Sequence, residues 1–530
     1  MLKDIVDNYV FQNAYKEYFN DNLYEIVGCI NKDCDKEKYR TSSYSITGIF
    51  NNKERIIDFP NIFTYAYSAY KILNSNINDL GKLNVSRINT MNIDFKNRKF
   101  KSNSFTKNLD NKLNLLLNEY DFMYKIDIRN FYKSIYTHVF SKIRNQNGAI
   151  DAYIRLYNDN KTNCLLLGNI LSTLCANEIM EDMSTDIKEQ LEDIKIEYFS
   201  DQFYIFFNSN HKYDEILEAV KKVISKSYFE FEINEDDTKV YTHEELVKLR
   251  NFRKMQDNLY EKQNIEYDDA KFYIEYDFDY SSKKMIYYFN SLIDSYYNID
   301  INKRRVFVEV ALKRTFSFAV NLYRLKIILD NNDENSTRIV EILFMFLNKH
   351  PELILLYIKL GIWYIIENSN IYNNKELFYK YENKFYDKMV LYLNKLNGIY
   401  YFHIYYLLKN KFKSENKRNE FLNLYKNKMI SKNYLLDSII ASTFNITPSI
   451  EEINNMKFNG EKWLYNYTLY FNSTNYNNSL DEIDKAVNNA KRKGIRIIKK
   501  LSDIEVPKKV INKLNDIKNK FEKNMCEELI

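Results

Sequence analysis

Glycine and proline are scarce in this sequence, with nine and four residues in a chain of 530. β-Sandwiches use these residues in their many tight turns, and flexible low-complexity chains use them to remain disordered. Their scarcity excludes both classes and predicts long helices. At roughly 100–200 residues per domain, the length predicts about two to four domains, each large enough to bury a core.

Cysteines and long apolar runs are scarce as well. The five cysteines show no pairing pattern, and an odd count in a large chain favours a reducing cytoplasm over a secreted disulfide framework. The N-terminus has no apolar signal core, and the most apolar stretch, 353–366, is interrupted by Lys359. Because a membrane-spanning helix needs about 20 consecutive apolar residues, we expect a soluble, cytoplasmic protein with no membrane partner.

Apolar and aromatic side chains are abundant, at 45% and 16% of residues, and suffice for a folded interior. The net charge of +5 arises from 77 basic and 72 acidic residues and is too balanced to indicate a partner. A local exception is the run 491–500, which reads KRKGIRIIKK and holds six basic residues and no acid. This run fits either a contact to nucleic-acid phosphates or the solvated face of a helix.

Two kinds of pattern divide the chain near residue 245. Before this point, apolar alternation and helical periodicity predict a strand, a helix, a hairpin, a helix and a strand, which is the order of an α+β layer architecture. The clearest of these elements are the strand 122–128, the hairpin 194–207, the helix 213–224 and the strand 229–233. After it, helical periodicity predicts stacked helices at 305–329, 336–347, 352–366, 375–396, 400–408 and 419–425.

Two acidic residues, Asp127 and Asp201, stand where the predicted strands could bring their carboxylates together. Asp127 lies in the strand 122–128, on the face opposite its apolar side chains, and Asp201 lies at the hairpin tip. Adjacent strands would bring the two carboxylates together. Such a pair can hold two divalent ions about 3.5–4 Å apart, and Mg²⁺ or Mn²⁺ suits oxygen ligands. The alternative is that each acid is an ordinary solvated turn residue.

Four segments around these acids resemble, in order, motifs A to D of reverse transcriptases. Residues 127–134 read DIRNFYKS, and 168–177 read GNILSTLCAN, which keeps the G-x-x-x-S-x-x-x-A-N skeleton of motif B. Residues 199–203 read FSDQF and resemble the Y-x-D-D-F box, and 233–239 resembles motif D. Upstream, KERIIDFPN at 53–61 resembles the basic segment in the fingers of bacterial abortive-infection, defence-associated reverse transcriptases of the AbiK kind.

This resemblance implies a right-hand architecture. Fingers and the N-terminal region would occupy 1–122, the palm 123–245, and an all-α, HEAT-like helical-repeat domain with a basic C-terminal segment 246–530. The implied activity is that of an RNA-directed DNA polymerase-like nucleotidyltransferase, which uses dNTPs in anti-phage abortive-infection defence. The family resemblance also implies two possible modes of synthesis, namely protein priming on a tyrosine and untemplated synthesis. The possible partners that it implies are a non-coding RNA, a second reverse-transcriptase subunit and further copies of the chain in a homo-oligomer.

The resemblance also assigns roles to individual residues. A divalent cation would be bound by Asp127, Asp201 and the carbonyl of Ile128, and Tyr132 would be an aromatic gate against the ribose 2′-hydroxyl. Arg55 would hold triphosphate oxygens through its planar guanidinium. Lys239 would protonate pyrophosphate, although an exposed structural lysine explains it equally well. The remaining substrate-binding positions that match the family are Phe131, Gly168 and Ser172.

Four positions depart from the family pattern. Gln202 stands where motif C has its second acid, so one negative charge near the metals is missing. Leu166 and Leu167 replace the usual Pro-Gln before motif B, and Asp237 stands where motif D often has lysine. These departures favour a second hypothesis, in which a catalytically weak palm serves as a nucleic-acid-binding or scaffold subunit of a defence complex.

Overall fold

The computed structural model is a mixed α+β protein in which helices predominate over small antiparallel sheets. No helix of the described residues combines the length and apolarity needed to cross a membrane. The chain divides into two compact units, the first comprising Met1–Ile46, Ile56–Met255 and Ala441–Lys499, and the second Thr47–Arg55, Gln256–Ile440 and Lys500–Ile530. The structure describes residues 2–10, 18–50, 53–74, 91–94, 99–102, 116, 119–143, 148–209, 211, 213–226, 228–246, 278–316, 319–374, 376–377, 463–464, 482–499, 511–512 and 514–519.

The first unit begins with helices and hairpins around an aromatic core. Tyrosine serves here as a core residue, because a buried hydroxyl can donate to a backbone carbonyl: Tyr65 donates to the Ile5 carbonyl at 3.2 Å, and Tyr67 donates to the Cys34 carbonyl at 2.7 Å. The elements up to residue 102 are α1 (Leu2–Asp7), two 3-10 helices (Leu23–Cys29 and Lys36–Tyr39), β1 (Tyr44–Phe50), β2 (Lys53–Phe59), α2 (Ile62–Asn74), β3 (Met91–Asp94) and β4 (Lys99–Ser102). Residues 47–55 of β1, β2 and their turn are assigned to the second unit.

A four-stranded antiparallel sheet forms the centre of this unit. Its strands are β5 (Phe122–Asp127), β6 (Lys195–Phe199), β7 (Gln202–Phe207) and β8 (Lys239–Thr242), in the spatial order β6-β7-β5-β8. The predicted strand and hairpin are therefore present. The hairpin turn contains no glycine, and Ser200 takes the left-handed backbone conformation there with a φ of 57°.

The fourth strand is not where the sequence analysis predicts it. The alternation at 229–233 is wrong as a strand prediction. The Phe231 N–H donates to the Ile224 carbonyl at the end of the preceding helix, the Phe229 N–H donates to the Lys226 carbonyl just beyond it, and Glu230 is left-handed. Only a single bridge joins Ile233 to Ile128. The strand beside β5 is β8, which pairs with the outer edge of β5 from Thr242 opposite Phe122 to Lys239 opposite Lys125.

Helices complete the α+β arrangement. They are α3 (Phe131–Ser134), a 3-10 helix (Thr137–Ser141), α4 (Gly148–Tyr157), α5 (Ile170–Lys188) and α6 (Tyr213–Ile224), and α5 packs against both β6 and α6. The helix predicted at 213–224 is confirmed as α6. Its buried stripe includes Ile216, Val220 and Val223, and burial of each such side chain contributes about 1.5–3 kcal/mol.

Residues 491–499 of the basic run near the C-terminus belong to the first unit. The first two residues of this run end the helix Glu482–Arg492. The residues after this helix pair with the N-terminal region: the Asn20 N–H donates to the Ile497 carbonyl at 2.8 Å, and the Lys499 N–H donates to the Tyr18 carbonyl at 2.9 Å. Lys493 Nζ donates to the Gly28 carbonyl at 3.1 Å. Part of this run therefore contacts protein acceptors.

The second unit contains consecutive helices that pack against their neighbours along the chain. The predicted helix 352–366 is wrong as a single helix, because Gly361 adopts a left-handed φ of 84° and ends one helix before the next begins. The predicted helices at 375–396, 400–408 and 419–425 lie outside the described residues, except for 376–377. The described helices are α7 (Phe278–Asn298), α8 (Arg304–Phe316), α9 (Ala319–Asn331), α10 (Glu334–Lys349), α11 (Ile354–Leu360) and α12 (Ile362–Glu367), and the first unit adds α13 (Glu482–Arg492).

Candidate functional site

Asp127 and Asp201 lie at the same end of two adjacent strands. Asp127 is the last residue of β5, and its partner across the sheet is Gln202, the first residue of β7. Asp201 immediately precedes Gln202 in the hairpin turn, and its carbonyl accepts a hydrogen bond from the Ile128 N–H at 2.9 Å. The strand pairing predicted from the sequence thus brings the two acids into one neighbourhood.

The Asp127 carboxylate is buried and bound by two amide groups. The Asp127 residue is only 7% exposed. Gln202 Nε2 donates to Oδ2 at 2.8 Å, and Asn234 Nδ2 donates to Oδ1 at 2.9 Å. A buried carboxylate is stable only with such donors, and hydrogen bonds to a charged acceptor are stronger than those between neutral groups.

Each amide is itself held in place. The Tyr204 hydroxyl donates to Gln202 Oε1 at 2.8 Å, so the NH₂ end of Gln202 is directed to Asp127. Asn234 Nδ2 donates a second hydrogen bond to Asp237 Oδ2 at 3.0 Å, and the Asn234 N–H donates to the Asp127 carbonyl at 2.8 Å. A chain of hydrogen bonds therefore runs from Tyr204 through Asp127 to Asp237.

Thr238 closes the loop that carries Asn234. Its Oγ1 accepts from the Asp127 N–H at 3.2 Å and donates to the Asn234 carbonyl at 2.8 Å. Asn234 and Thr238 lie in the segment 233–239 that resembles motif D, and neither was predicted from the sequence as a site residue. Two short polar residues four positions apart after an apolar segment are the signal that indicates such a fastened loop.

Tyr132 lies beside the hairpin tip, in the short helix α3. Burial of its hydroxyl raises the pKa of Tyr132, while interactions with Thr173 on α5 and Ser200 in the turn lower it and the charge of Asp201 raises it further. The hydroxyl therefore stays protonated at neutral pH. Phe131 next to it is buried and packs edge-on against Phe231, with ring centroids 5.2 Å apart.

Gly168 and Ser172, the two predicted motif B residues, lie at the start of α5. Gly168 has a φ of 113°, a conformation that favours glycine, and Asn169 caps the helix by accepting from the Ser172 N–H at 2.8 Å. Ser172 is fully buried. This burial favours a packing role for Ser172, and its contact with substrate stays a prediction.

Lys239 is not directed to the acids. Its side chain is 58% exposed, and Nζ lies 3.9 Å from Glu245 Oε1 and 5.0 Å from the centre of the Tyr241 ring. The structure therefore places Lys239 as an exposed cation at the start of β8. Of its two interpretations, this position favours the structural one.

Arg55 lies in β2, and its side chain is outside the described residues. A neighbour in the same strand, Asp58, is fastened to the loop before motif B. The Asp58 N–H donates to the Leu167 carbonyl at 2.9 Å, and Asp58 Oδ2 accepts from the Leu167 N–H at 3.2 Å. Ser45 Oγ donates to Oδ1 at 2.6 Å. Burial raises the pKa of Asp58.

The residues around Asp127 fit one oxygen-preferring divalent cation. Each carboxylate oxygen has two lone pairs, and the two amides occupy one lone pair on each oxygen of Asp127. No group of three or more histidine, cysteine or acidic side chains converges within the described ranges. Two carboxylates are nevertheless a usual protein contribution for Mg²⁺, which takes its other oxygens from water and substrate phosphates.

Comparison with models of known protein families found no match, and comparison with curated protein sequences found none either. The resemblance to reverse transcriptases therefore depends on the sequence motifs alone.

Proposed function

We propose that this chain is a reverse-transcriptase-type nucleotidyltransferase that adds deoxynucleotides to a DNA end, with fingers in 1–122, a palm in 123–245 and a HEAT-like domain in 246–530. The observation that carries the proposal is the β5–β7 pairing, which puts Asp127 opposite Gln202 and next to Asp201. It is supported by the position of Tyr132 close to Asp201 and to the start of α5.

In the proposed reaction, Asp127, Asp201 and the Ile128 carbonyl would hold Mg²⁺ or Mn²⁺. When bound, the cation would activate a 3′-hydroxyl and neutralise the leaving pyrophosphate. The protein's own contribution is positional. The amides of Gln202 and Asn234 keep the Asp127 carboxylate in one orientation, and the Tyr132 ring would exclude a 2′-hydroxyl from the sugar position.

The biological context of the proposal comes from the family resemblance. It comprises anti-phage abortive infection in the cytoplasm, with a DNA product that is either free or attached to a tyrosine. A homo-oligomer, a non-coding RNA and a second polymerase subunit are the partners to be tested. The residues around Asp127 support the nucleotidyl-transfer part of the proposal, and the biological context depends on the family resemblance.

One observation favours a second candidate function. Gln202 is a neutral donor to Asp127, where an acid would add charge and a metal ligand. A site with fewer negative charges attracts cations less strongly. The alternative is therefore a catalytically weak palm that binds nucleic acid or acts as a scaffold subunit in a defence complex.

Incorporation of labelled dNTPs by the purified full chain, with Mg²⁺ or Mn²⁺, separates the two candidates. We expect incorporation by the wild type and by Asp33→Ala, which removes an exposed acid, and none by Asp127→Ala. Incorporation that survives Asp127→Ala would refute the polymerase proposal, and its absence from the wild type would favour the scaffold. A denaturing gel with and without proteinase then shows whether the product is attached to protein.

A further inference from the structure

We infer that Gln202 and Asn234 are positioning residues, whose amide N–H groups hold the Asp127 carboxylate in the orientation that a cation would otherwise impose. The carboxylate is then ordered before any cation arrives, and the nucleotide-free protein binds divalent cations weakly. The inference depends on the proposed function only in taking Asp127 as a cation ligand.

The orientation of both amides follows from their partners. Asn234 Nδ2 lies between two carboxylates, 2.9 Å from Asp127 and 3.0 Å from Asp237, so its two hydrogens are both used. The reverse orientation would place the amide oxygen against two anionic acceptors. For Gln202, the Tyr204 hydroxyl occupies the oxygen end at 2.8 Å, which leaves the NH₂ end for Asp127.

The backbone around Asp127 reinforces this arrangement. Its N–H donates to Thr238 at 3.2 Å, and its carbonyl accepts from Asn234 at 2.8 Å. The side chain and the main chain of Asp127 are therefore both bound by the 234–238 loop. A carboxylate with 7% exposure and fixed partners at both oxygens has little freedom to reorient.

The amides also affect how a cation would bind. The N–H hydrogens carry partial positive charge and lie on the carboxylate oxygens, where they oppose an approaching cation. Substituting glutamate for Gln202 keeps the length of the side chain, removes the donor and adds a negative charge. The substituted site should need a cation to hold two adjacent carboxylates together, because like charges at this distance repel.

The test has two measurements on the nucleotide-free full chain. The first is a Mn²⁺ titration in which electron paramagnetic resonance measures the free Mn²⁺. The second is thermal unfolding with and without Mn²⁺. We expect Gln202→Glu to bind Mn²⁺ on the order of tenfold more tightly than the wild type. Its melting temperature should rise on Mn²⁺ addition by more than that of the wild type. Gln190→Glu, the same substitution at an exposed position after α5, should match the wild type.

Asn234→Asp provides the same comparison from the other amide, and it decides the matter if Gln202→Glu does not fold. Unchanged Mn²⁺ affinity and an unchanged Mn²⁺ effect on melting in both variants would overturn the inference. Tighter binding in the variants without dNTP incorporation by the wild type would leave the inference standing and refute the proposed function. Incorporation by the wild type with unchanged binding in the variants would do the reverse.

Discussion

Two buried carboxylates of the first unit, Asp127 and Asp151, are compensated in different ways. Both residues are nearly excluded from solvent, at 7% and 8% exposure. On α4, the Arg155 guanidinium spans both oxygens of Asp151 at 3.1 and 3.2 Å, and His138 Nδ1 lies 2.9 Å from Oδ2. Two neutral amides bind Asp127 in the described part of the chain.

The difference separates a structural acid from a candidate catalytic one. A guanidinium neutralises Asp151, so its charge is spent within the fold. Amides stabilise the Asp127 carboxylate and leave its full negative charge. A buried acid with neutral partners is therefore able to attract a further cation, whereas a buried acid with a cationic partner is not. Burial alone does not distinguish the two.

The largest expected effect is on nucleotide incorporation. Asp127→Asn should lower the rate of dNTP incorporation by about 10³-fold or more, because the variant lacks a ligand for the cation. Asp151→Asn should retain incorporation at temperatures where it is folded. Circular dichroism at the assay temperature controls for folding. Equal losses in the two variants would show that the comparison does not separate catalysis from structure.

Nucleotide selection gives the next effect. Tyr132→Ala should reduce discrimination between dNTPs and rNTPs by about 10–100-fold, because the ring beside Asp201 no longer meets the 2′-hydroxyl. Tyr136→Ala, at a position 45% exposed in the same segment, should leave the ratio unchanged. The measurement is the ratio of incorporation rates for matched nucleotides. A ratio that is the same in Tyr132→Ala and the wild type would remove the gate assignment.

For the free energy of unfolding, the substitution of Asp151 should matter more than that of Asp127. Asp151→Asn leaves the Arg155 guanidinium without its ion pair and should lower the free energy of unfolding by about 2 kcal/mol. This is below the value for a fully buried pair, because the Arg155 side chain is 24% exposed and partly screened. Asp159→Asn, whose pair with Arg40 is exposed, should change stability by less than about 0.5 kcal/mol. Urea denaturation measures both.

A smaller effect is expected from the hydroxyl that orients Gln202. Tyr204→Phe removes the donor to Gln202 Oε1 and should cost about 1 kcal/mol of stability. Because the amide is then free to turn, incorporation should fall severalfold and Mn²⁺ affinity should rise. Tyr213→Phe, at an exposed ring, is the matched control. Full activity in Tyr204→Phe would mean that Gln202 keeps its orientation without the hydroxyl.

The smallest effect concerns Asp58, which has hydroxyl and backbone donors and a pKa raised by burial. A carboxyl with a raised pKa in the folded state favours folding at low pH, and this contribution is lost as the pH rises through that pKa. The stability of the wild type relative to Asp58→Asn should therefore fall from acid to neutral pH. A difference that stays constant with pH in paired denaturation curves would contradict this assignment.

Several features of the fold could be predicted from the sequence. The strand ending at Asp127, the hairpin around Asp201 and the helix 213–224 are all present, since apolar alternation and periodicity are local properties. The same local patterns wrongly predicted a strand at 229–233 and an unbroken helix at 352–366. In the first, helix-end hydrogen bonds compete with pairing, and in the second, one glycine ends the helix.

The local pattern of apolar residues was enough to specify the strand that ends at Asp127 and the hairpin around Asp201, and so to place the two acids at the same end of neighbouring strands. The partners of the Asp127 carboxylate depended on the folded chain, because its two amide donors are 75 and 107 positions away. Hydrogen bonds at such separations arise only when strand register and loop conformation are both set. For that reason the neutral compensation of Asp127, and the pairing of Lys239 with Glu245, became visible only in three dimensions.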